Sequence, residues 1–231
     1  MDDLLSVVTL DRFDPADVVA ALGPMLGDAR AAKLDAVAAA RLSGVACVLD
    51  DLRDPHNGGA ALRSCEAMGV LRVHVLSVRQ RFRTSTKVTQ GCEKWIDVAR
   101  HRDVPSLVGA VHAQGYRLLV AVPGATSAVG DLDPLVPTAL AFGNEHLGIT
   151  PALRDAADGA FAIPMHGCSQ SFNVSVSVAV ALHVLTEARR RALGRAGDLD
   201  ERALLALRAR YYARDLRGAE EIVQRHVSRR G

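Results

Sequence analysis

One arginine, Arg63, stands in a run of small and apolar residues, "ALRSCEAMGV", that follows the turn "DPHNGG". A guanidinium grips anions and offers only donors. Two further turns carry polar groups straight after apolar runs: "FGNEHLGIT" from Phe142 and "IPMHGCSQSFNVS" from Ile163. The second offers Gly143, Asn144 and Glu145; the third offers Ser169, Ser171, Asn173, Ser175 and Ser177 at alternate positions. Hydroxyl, amide, carboxylate and guanidinium groups together can orient a substrate and assist a proton transfer. Taken singly, each has a plainer reading. Arg63 could pair with Glu66 or Glu93 on the surface, Glu145 could cap a helix, and the serine run could be a capped helix start. Gly143 and Gly148 fit neither a phosphate-binding loop nor a GxGxxG fingerprint.

The elements around these turns alternate. Apolar β-branched runs over Gly44–Asp50, Val70–Val78, "YRLLVAVP" and Thr138–Glu145, with "AFAIPM", read as strands, and "EKWIDVAR" contains a short one. Ala- and Leu-rich stretches between them read as helices. This implies an α/β fold with a mainly parallel sheet covered by helices on both faces. Ligands of such sheets gather at the carboxyl ends of the strands, where the three polar turns lie. Pro55 is expected to stop the first strand and Asn57 to cap the helix after it. Gly58 and Gly59 would leave its first turn uncovered for a substrate or another backbone. Ala61, Cys65 and Met68 form a stripe for the sheet, with Arg63 off it. "PALRDAADG" is expected to be a helix closing at Gly159. "FNVSVSVAVALHVLTEARRRAL" reads as a long helix, with Ser171 and Asn173 at its start and Ser175 and Ser177 permitting close packing. The flanks are helical: residues 1–41 form an N-terminal extension, 42–192 the α/β domain, and 193–231 an amphipathic basic tail.

Hydrophobic residues make up 49% of the 231, enough for a buried core, yet only 4% are aromatic, so Ala, Val and Leu must fill it. From Arg189 to Gly231 twelve arginines face six carboxylates, which leaves the remainder of the chain net acidic. A second basic patch, "SVRQRFRTSTK", follows the second strand. Of the 28 basic residues 25 are Arg, partly a coding bias, so Arg abundance alone is poor evidence for RNA. The four cysteines have no CxxC spacing, which argues against zinc or a disulfide framework and for a reducing compartment. With no export signal or membrane-length apolar run, a cytoplasmic protein is expected.

Together, "DPHNGGAALRSCEAMGV", "LAFGNEHLGIT" and "IPMHGCSQSFNVSVSVAVAL" resemble the three motifs of the SPOUT methyltransferases, specifically the TrmH (SpoU) RNA 2′-O-ribose methyltransferases. "GCEKWIDV" is similar to the family's segment after the second strand. The likeness spans roughly Leu42 to Arg190, and the tail "RARYYARDLRGAEEIV" resembles the tRNA-modifying branch. The resemblance implies a C-terminal trefoil knot, a rare topology. It implies S-adenosylmethionine as cofactor, bound around Ala121, Gly143, Asn144, Ile163, Met165 and Phe172. It implies a homodimer through the knot region, with Ser175, Ser177, Ala179 and Ala181 at the interface, and it implies no metal. Arg63, Asn57, Glu145, Ser171 and Asn173 fall on the family's catalytic positions. Gly58-Gly59 stands where many relatives carry bulkier residues, and Phe172 replaces a frequent Leu beside the adenine.

The implied reaction is 2′-O-methylation of RNA, with guanosine-18 of the tRNA D-loop as the expected target. Arg63 would meet the target ribose and phosphate, either orienting them or acting as a base in dry surroundings. RNA phosphates would be held by Arg79, Arg81, Arg83 and Lys87, with Arg208, Arg210, Arg214 and Arg217 of the tail. Ribosomal RNA is the alternative substrate. A non-catalytic RNA-binding relative is a different class, disfavoured by the intact polar set. A small-molecule α/β enzyme would lack a nucleotide fingerprint and leave the basic tail unexplained.

Overall fold

Helices begin where the sequence supplies an acceptor for their first N–H groups. Asp14, Asp54, Asp103 and Asp200 each take a backbone N–H of the helix that follows, and three of these four helices also open with Pro near their first position. The computed structural model describes residues 10–78, 82–144 and 147–229. In chain order the helices are α1 (Pro15–Leu26), α2 (Asp28–Ala39), α3 (Pro55–Ala67), α4 (Thr86–Thr89), α5 (Val104–Ala113), α6 (Pro151–Ala156), α7 (Val174–Leu193), α8 (Glu201–Asp215) and α9 (Ala219–Ser228). The strands are β1 (Leu42–Asp50), β2 (Val70–Leu76), β3 (Asp97–His101), β4 (Arg117–Ala121), β5 (Thr138–Phe142) and β6 (Gly159–Phe161). Two boundaries depart from expectation. Gly159 opens β6 instead of closing α6, because its N-terminal neighbour Asp158 already bonds to the edge of β4. The expected single tail helix is two, broken at Gly218, whose φ is 66°.

The chain divides into two compact units, one formed by Leu42–Arg195 and the other by Met1–Arg41 with Ala196–Gly231. In the first, six strands form a parallel sheet in the order β3-β2-β1-β5-β4-β6. β1 alternates between two cores. Val45, Cys47 and Leu49 face α3 and α7 beside Ala61, Leu62, Cys65, Val178 and Leu182. Ala46 and Val48 face α5 and α6 beside Leu107, Val111 and Leu153. A strand buried on both faces reads as a near-continuous apolar run, and from Gly44 to Leu49 β1 carries no polar side chain. Each buried Val or Leu among them contributes about 1.5–3 kcal/mol by leaving water.

The second unit is all helical among the described residues. Polar pairs supplement its packing: Arg30 grips Asp215, with one contact at 2.9 Å, and Arg208 grips Asp35 at 2.7 and 2.6 Å. The Tyr212 hydroxyl donates to the same carboxylate at 2.9 Å. Arg41 is buried and donates to the Tyr211 hydroxyl at 2.9 Å. No helix among the described residues is long and apolar enough to cross a membrane.

Candidate active site

β1 and β5 lie side by side, Leu49 beside Phe142, while the chain runs outward from them in opposite directions along the sheet. Their following loops therefore leave the same edge together, as expected at a switch point of strand order. Next to β5, Ala121 ends β4 in register with Phe161 of β6. Four of the strands thus bring residues 51–57, 122–128, 143–144 with 147–150, and 162–173 to one edge.

After β1 the buried Asp51 turns the chain with φ 52°. Asp54 is the N-cap of α3, its Oδ1 accepting the His56 N–H at 2.8 Å. The expected cap, Asn57, sits inside the first turn instead. Pro55 is the first residue of that helix, so the cap belongs to the residue just before it. Asn57 is buried, and its Oδ1 accepts from Asn173 Nδ2 at 3.1 Å. Asn173 is itself the N-cap of α7, its Oδ1 taking the Ser175 N–H at 2.9 Å and the Ser175 hydroxyl at 2.7 Å. Two asparagines 116 residues apart in sequence thus join the first turns of two helices. Ala61 and Cys65 are buried on the sheet and Met68 packs against them, as the stripe requires. Arg63 is exposed, with a long contact from Nη1 to the Val88 carbonyl at 3.5 Å. That contact replaces a surface ion pair as its described neighbour.

The loop after β5 folds back on itself. Asn144 and Gly148 exchange backbone hydrogen bonds at 3.1 and 3.0 Å, and Asn144 Oδ1 accepts the Leu147 N–H at 2.8 Å. A Cβ on Gly143 would lie 2.0 Å from the Gly148 carbonyl carbon, so only glycine fits. Glu145 lies outside the described residues. The buried Asp50, at the carboxyl end of β1, anchors this loop by accepting the Thr150 N–H at 2.7 Å. Sequence reading missed Asp50; its place as the last residue of a buried apolar strand was the available signal.

Beyond β6, Ala162 pairs with Ala128. Ile163 and Met165 follow half-buried, Ala121 is half-buried at the end of β4, and Ser171 and Phe172 are exposed before α7. Of the residues assigned to RNA, Arg79 and Arg81 lie outside the described residues. Arg83, Lys87 and Arg217 are exposed, and Arg210 and Arg214 are half-buried. Arg208 makes a bidentate pair with Asp35, which occupies one edge of its guanidinium and holds its pKa above the usual value. Cys47, Cys65 and Cys92 are buried as free thiols, and burial beside Glu93 pushes the Cys92 pKa up to about 12. No group of three or more metal-ligating side chains occurs among the described residues. A shallow hollow lined by His112, Tyr116, Arg117, Pro137 and Asp158 lies at the amino ends of β4 and β5, the opposite edge of the sheet.

Comparison with known proteins agrees with this geometry. Residues 44–183 match the SpoU rRNA Methylase family. The tRNA (guanosine(18)-2′-O)-methyltransferase of Thermus thermophilus is 33% identical over 167 residues, covering 72% of this chain and 84% of that protein. The enzyme of the same name from Escherichia coli K12 is 32% identical over 165 residues, covering 71% and 72%. The crystal structure of the A. aeolicus TrmH/SpoU tRNA modifying enzyme superposes with a TM-score of 0.71 at 25% identity, over 81% of this chain and 97% of that one. With the family's three motifs converging at one edge of a parallel sheet, the chain belongs to the SpoU rRNA Methylase family.

Proposed function

We propose that this chain transfers a methyl group from S-adenosylmethionine to a ribose 2′-hydroxyl of tRNA, at guanosine-18 of the D-loop. The relatives named for that reaction support the target. The observation that carries the reading is the Asn57–Asn173 hydrogen bond, which couples the first and third motifs within reach of the helix bearing Arg63. Residues 42–192 carry the reaction, flanked by 1–41 and 193–231.

The strand ends suit the cofactor. Ala121, Gly143, Ile163 and Met165 present small or apolar side chains and backbone polar groups at three adjacent strand ends. Such a lining accepts a purine on apolar surface and reads its edge through backbone N–H and C=O. Asn144 and the exposed Phe172 complete it. Bound there, S-adenosylmethionine supplies a methyl group on a sulfonium, already a good leaving group.

The remaining work falls to the protein's own side chains. Of the two roles open to Arg63, orientation is the one its chemistry favours, because a guanidinium carries five N–H donors and no acceptor. Arg63 holds the target ribose and its phosphate, and the proton of the 2′-hydroxyl leaves to a phosphate oxygen. Asn57 and Asn173 fix the wall against which the sugar lies; Ser171 and Glu145 shape the rest. Fixing the hydroxyl in line with the methyl removes much of the entropic barrier.

We also infer a homodimer and a C-terminal trefoil knot, both family features. Val176 is 43% exposed in the first turn of α7, beside the small Ser175 and Ser177, a surface suited to a partner. The paired Asn144 and Gly148, with Ala162 bridging to Ala128, support the knotted path. Free thiols suit the cytoplasm. RNA phosphates fall to Arg83, Lys87, Arg210, Arg214 and Arg217.

The test is transfer of labelled methyl to unmodified tRNA and to ribosomal RNA, with the modified nucleotide mapped. Label at guanosine-18 is expected; label only in ribosomal RNA overturns the target. Arg63→Ala should lower turnover by about a thousandfold, the scale of losing an electrostatic group in the transition state, with cofactor affinity by calorimetry near normal. Equal loss of both contradicts the role of Arg63.

A further inference from the structure

Gly58 and Gly59 stand inside α3 at ordinary helical φ, where each costs about 1 kcal/mol relative to Ala. No turn requires them. What they allow is the close approach of residues 82–89. A Cβ on Gly58 would lie 3.0 Å from the Arg83 carbonyl oxygen and 3.0 Å from the Phe82 ring. A Cβ on Gly59 would lie 3.2 Å from Val88 Cβ. The Ser85 N–H donates to the Pro55 carbonyl at 3.2 Å. Phe82 is 3% exposed within the α3/α7 core, and Arg100 Nη1 donates to its carbonyl at 3.2 Å. Arg63 Nη1 reaches the Val88 carbonyl. The segment is therefore a strap bolted across the helix that carries Arg63, and its exposed side chains include Arg83 and Lys87.

We propose that the glycine pair and Phe82 are positioning residues: they hold the strap so that Arg83 and Lys87 grip the RNA phosphates beside the ribose that Arg63 meets. The idea rests on the RNA reading above. Of the two occupants expected at their uncovered turn, a substrate or another backbone, the glycines meet the second. A strap fixed to α3 keeps three cations at constant spacing, so the RNA backbone docks in one register relative to the reacting hydroxyl. A displaced strap takes Arg83 and Lys87 off their phosphates, so affinity falls while a ribose that does dock still meets Arg63.

The experiment compares Gly58→Ala, the pair Arg83→Gln with Lys87→Gln, and all three together, in the full chain. Binding of unmodified tRNA is read without turnover across a salt series, beside kcat, KM and calorimetric cofactor affinity. Gly58→Ala should weaken tRNA binding and raise KM by about fivefold while kcat at saturation and cofactor affinity hold. The Gln pair should reduce the slope of log affinity against log salt by about 0.7–0.9 per lost contact. The combined effect should be less than additive, because a displaced strap has already lost its contacts. The charge-keeping pair Arg83→Lys with Lys87→Arg should restore the slope. An unchanged slope in the Gln pair, or full additivity, overturns the strap. If Gly58→Ala does not fold, the Gln pair and its charge-keeping counterpart decide alone, since both positions are exposed. Binding that follows these expectations without methyl transfer would overturn the reaction and leave the strap standing.

Discussion

The Asn173 side-chain amide donates to Asn57 Oδ1 at 3.1 Å, so the first turns of α3 and α7 are tied by one bond between two motif residues. Asn173 does this while its own oxygen caps α7. The two duties can be separated. Asn173→Asp keeps a good cap but loses the donor and sets a carboxylate against Asn57 Oδ1. Its melting temperature should stay close to wild type while kcat falls by at least about tenfold. Asn57→Ala should lower kcat similarly, and the double variant should be no worse than the poorer single one. Additive losses would show that the bond is not what couples the motifs.

Gly143 tests the folded-back loop. An added Cβ meets backbone atoms of Gly148 and Ile149 at 2.0 and 2.1 Å, and backbone cannot rotate away as a side chain can. Gly143→Ala must open the paired Asn144–Gly148 hydrogen bonds. Calorimetry should show cofactor affinity reduced by about thirtyfold or more, the scale of losing two hydrogen bonds from a preorganised loop. Wild-type affinity would mean that this loop does not form the cofactor wall.

Arginines of the helical unit should divide by partner. Arg208 and Asp35 are each about one-third exposed, 31% and 34%, so solvent screening keeps their pair to about 1 kcal/mol. Arg208→Ala should lower the melting temperature by about 2–4 °C. Arg217→Ala, an exposed position, should leave melting unchanged and weaken tRNA binding, with a shallower salt slope. The reverse pattern would exchange the two roles.

Acid should loosen the β2–β3 edge. His74 Nδ1 lies 3.0 Å from His101 Nε2, the two rings stacked. Burial, with His101 and Arg72 nearby, lowers the His74 pKa to about 4, with Gln114 opposing. Burial also lowers that of His101, with Asp103 opposing. Below about pH 6.5 the unfolded chain takes up the proton first. Stability is therefore complete above that pH and lost as pH falls toward 4, by up to about 3 kcal/mol. Melting followed between pH 7 and 4.5 should show this decline, and His74→Phe should flatten it. An equal slope in the variant would place the acid sensitivity elsewhere.

Local features were legible in the residues themselves. Apolar runs without alternation marked strands buried on two faces, and β1 is one. The Ala61–Cys65–Met68 stripe marked the sheet face of α3, since a period near 3.6 needs no knowledge of the partner. Asn57 was legible as a residue of importance but not as what it is. The pair Asp54-Pro55 carried the signal, since a proline at the first helical position puts the cap on the residue before it.

The sequence by itself determined the alternating elements, the three polar turns at strand ends and the lone arginine among small residues, because these follow from side-chain period, turn chemistry and charge within short windows. Only the tertiary structure decided which groups meet. The Asn57–Asn173 bond, the Asp50 anchor on Thr150, the Arg208–Asp35 pair and the strap against Gly58 and Gly59 span from 25 to 173 residues of chain or depend on backbone approach. Hydrogen bonds act over about 3 Å, and pattern along the chain carries no distance between segments that the fold alone brings together.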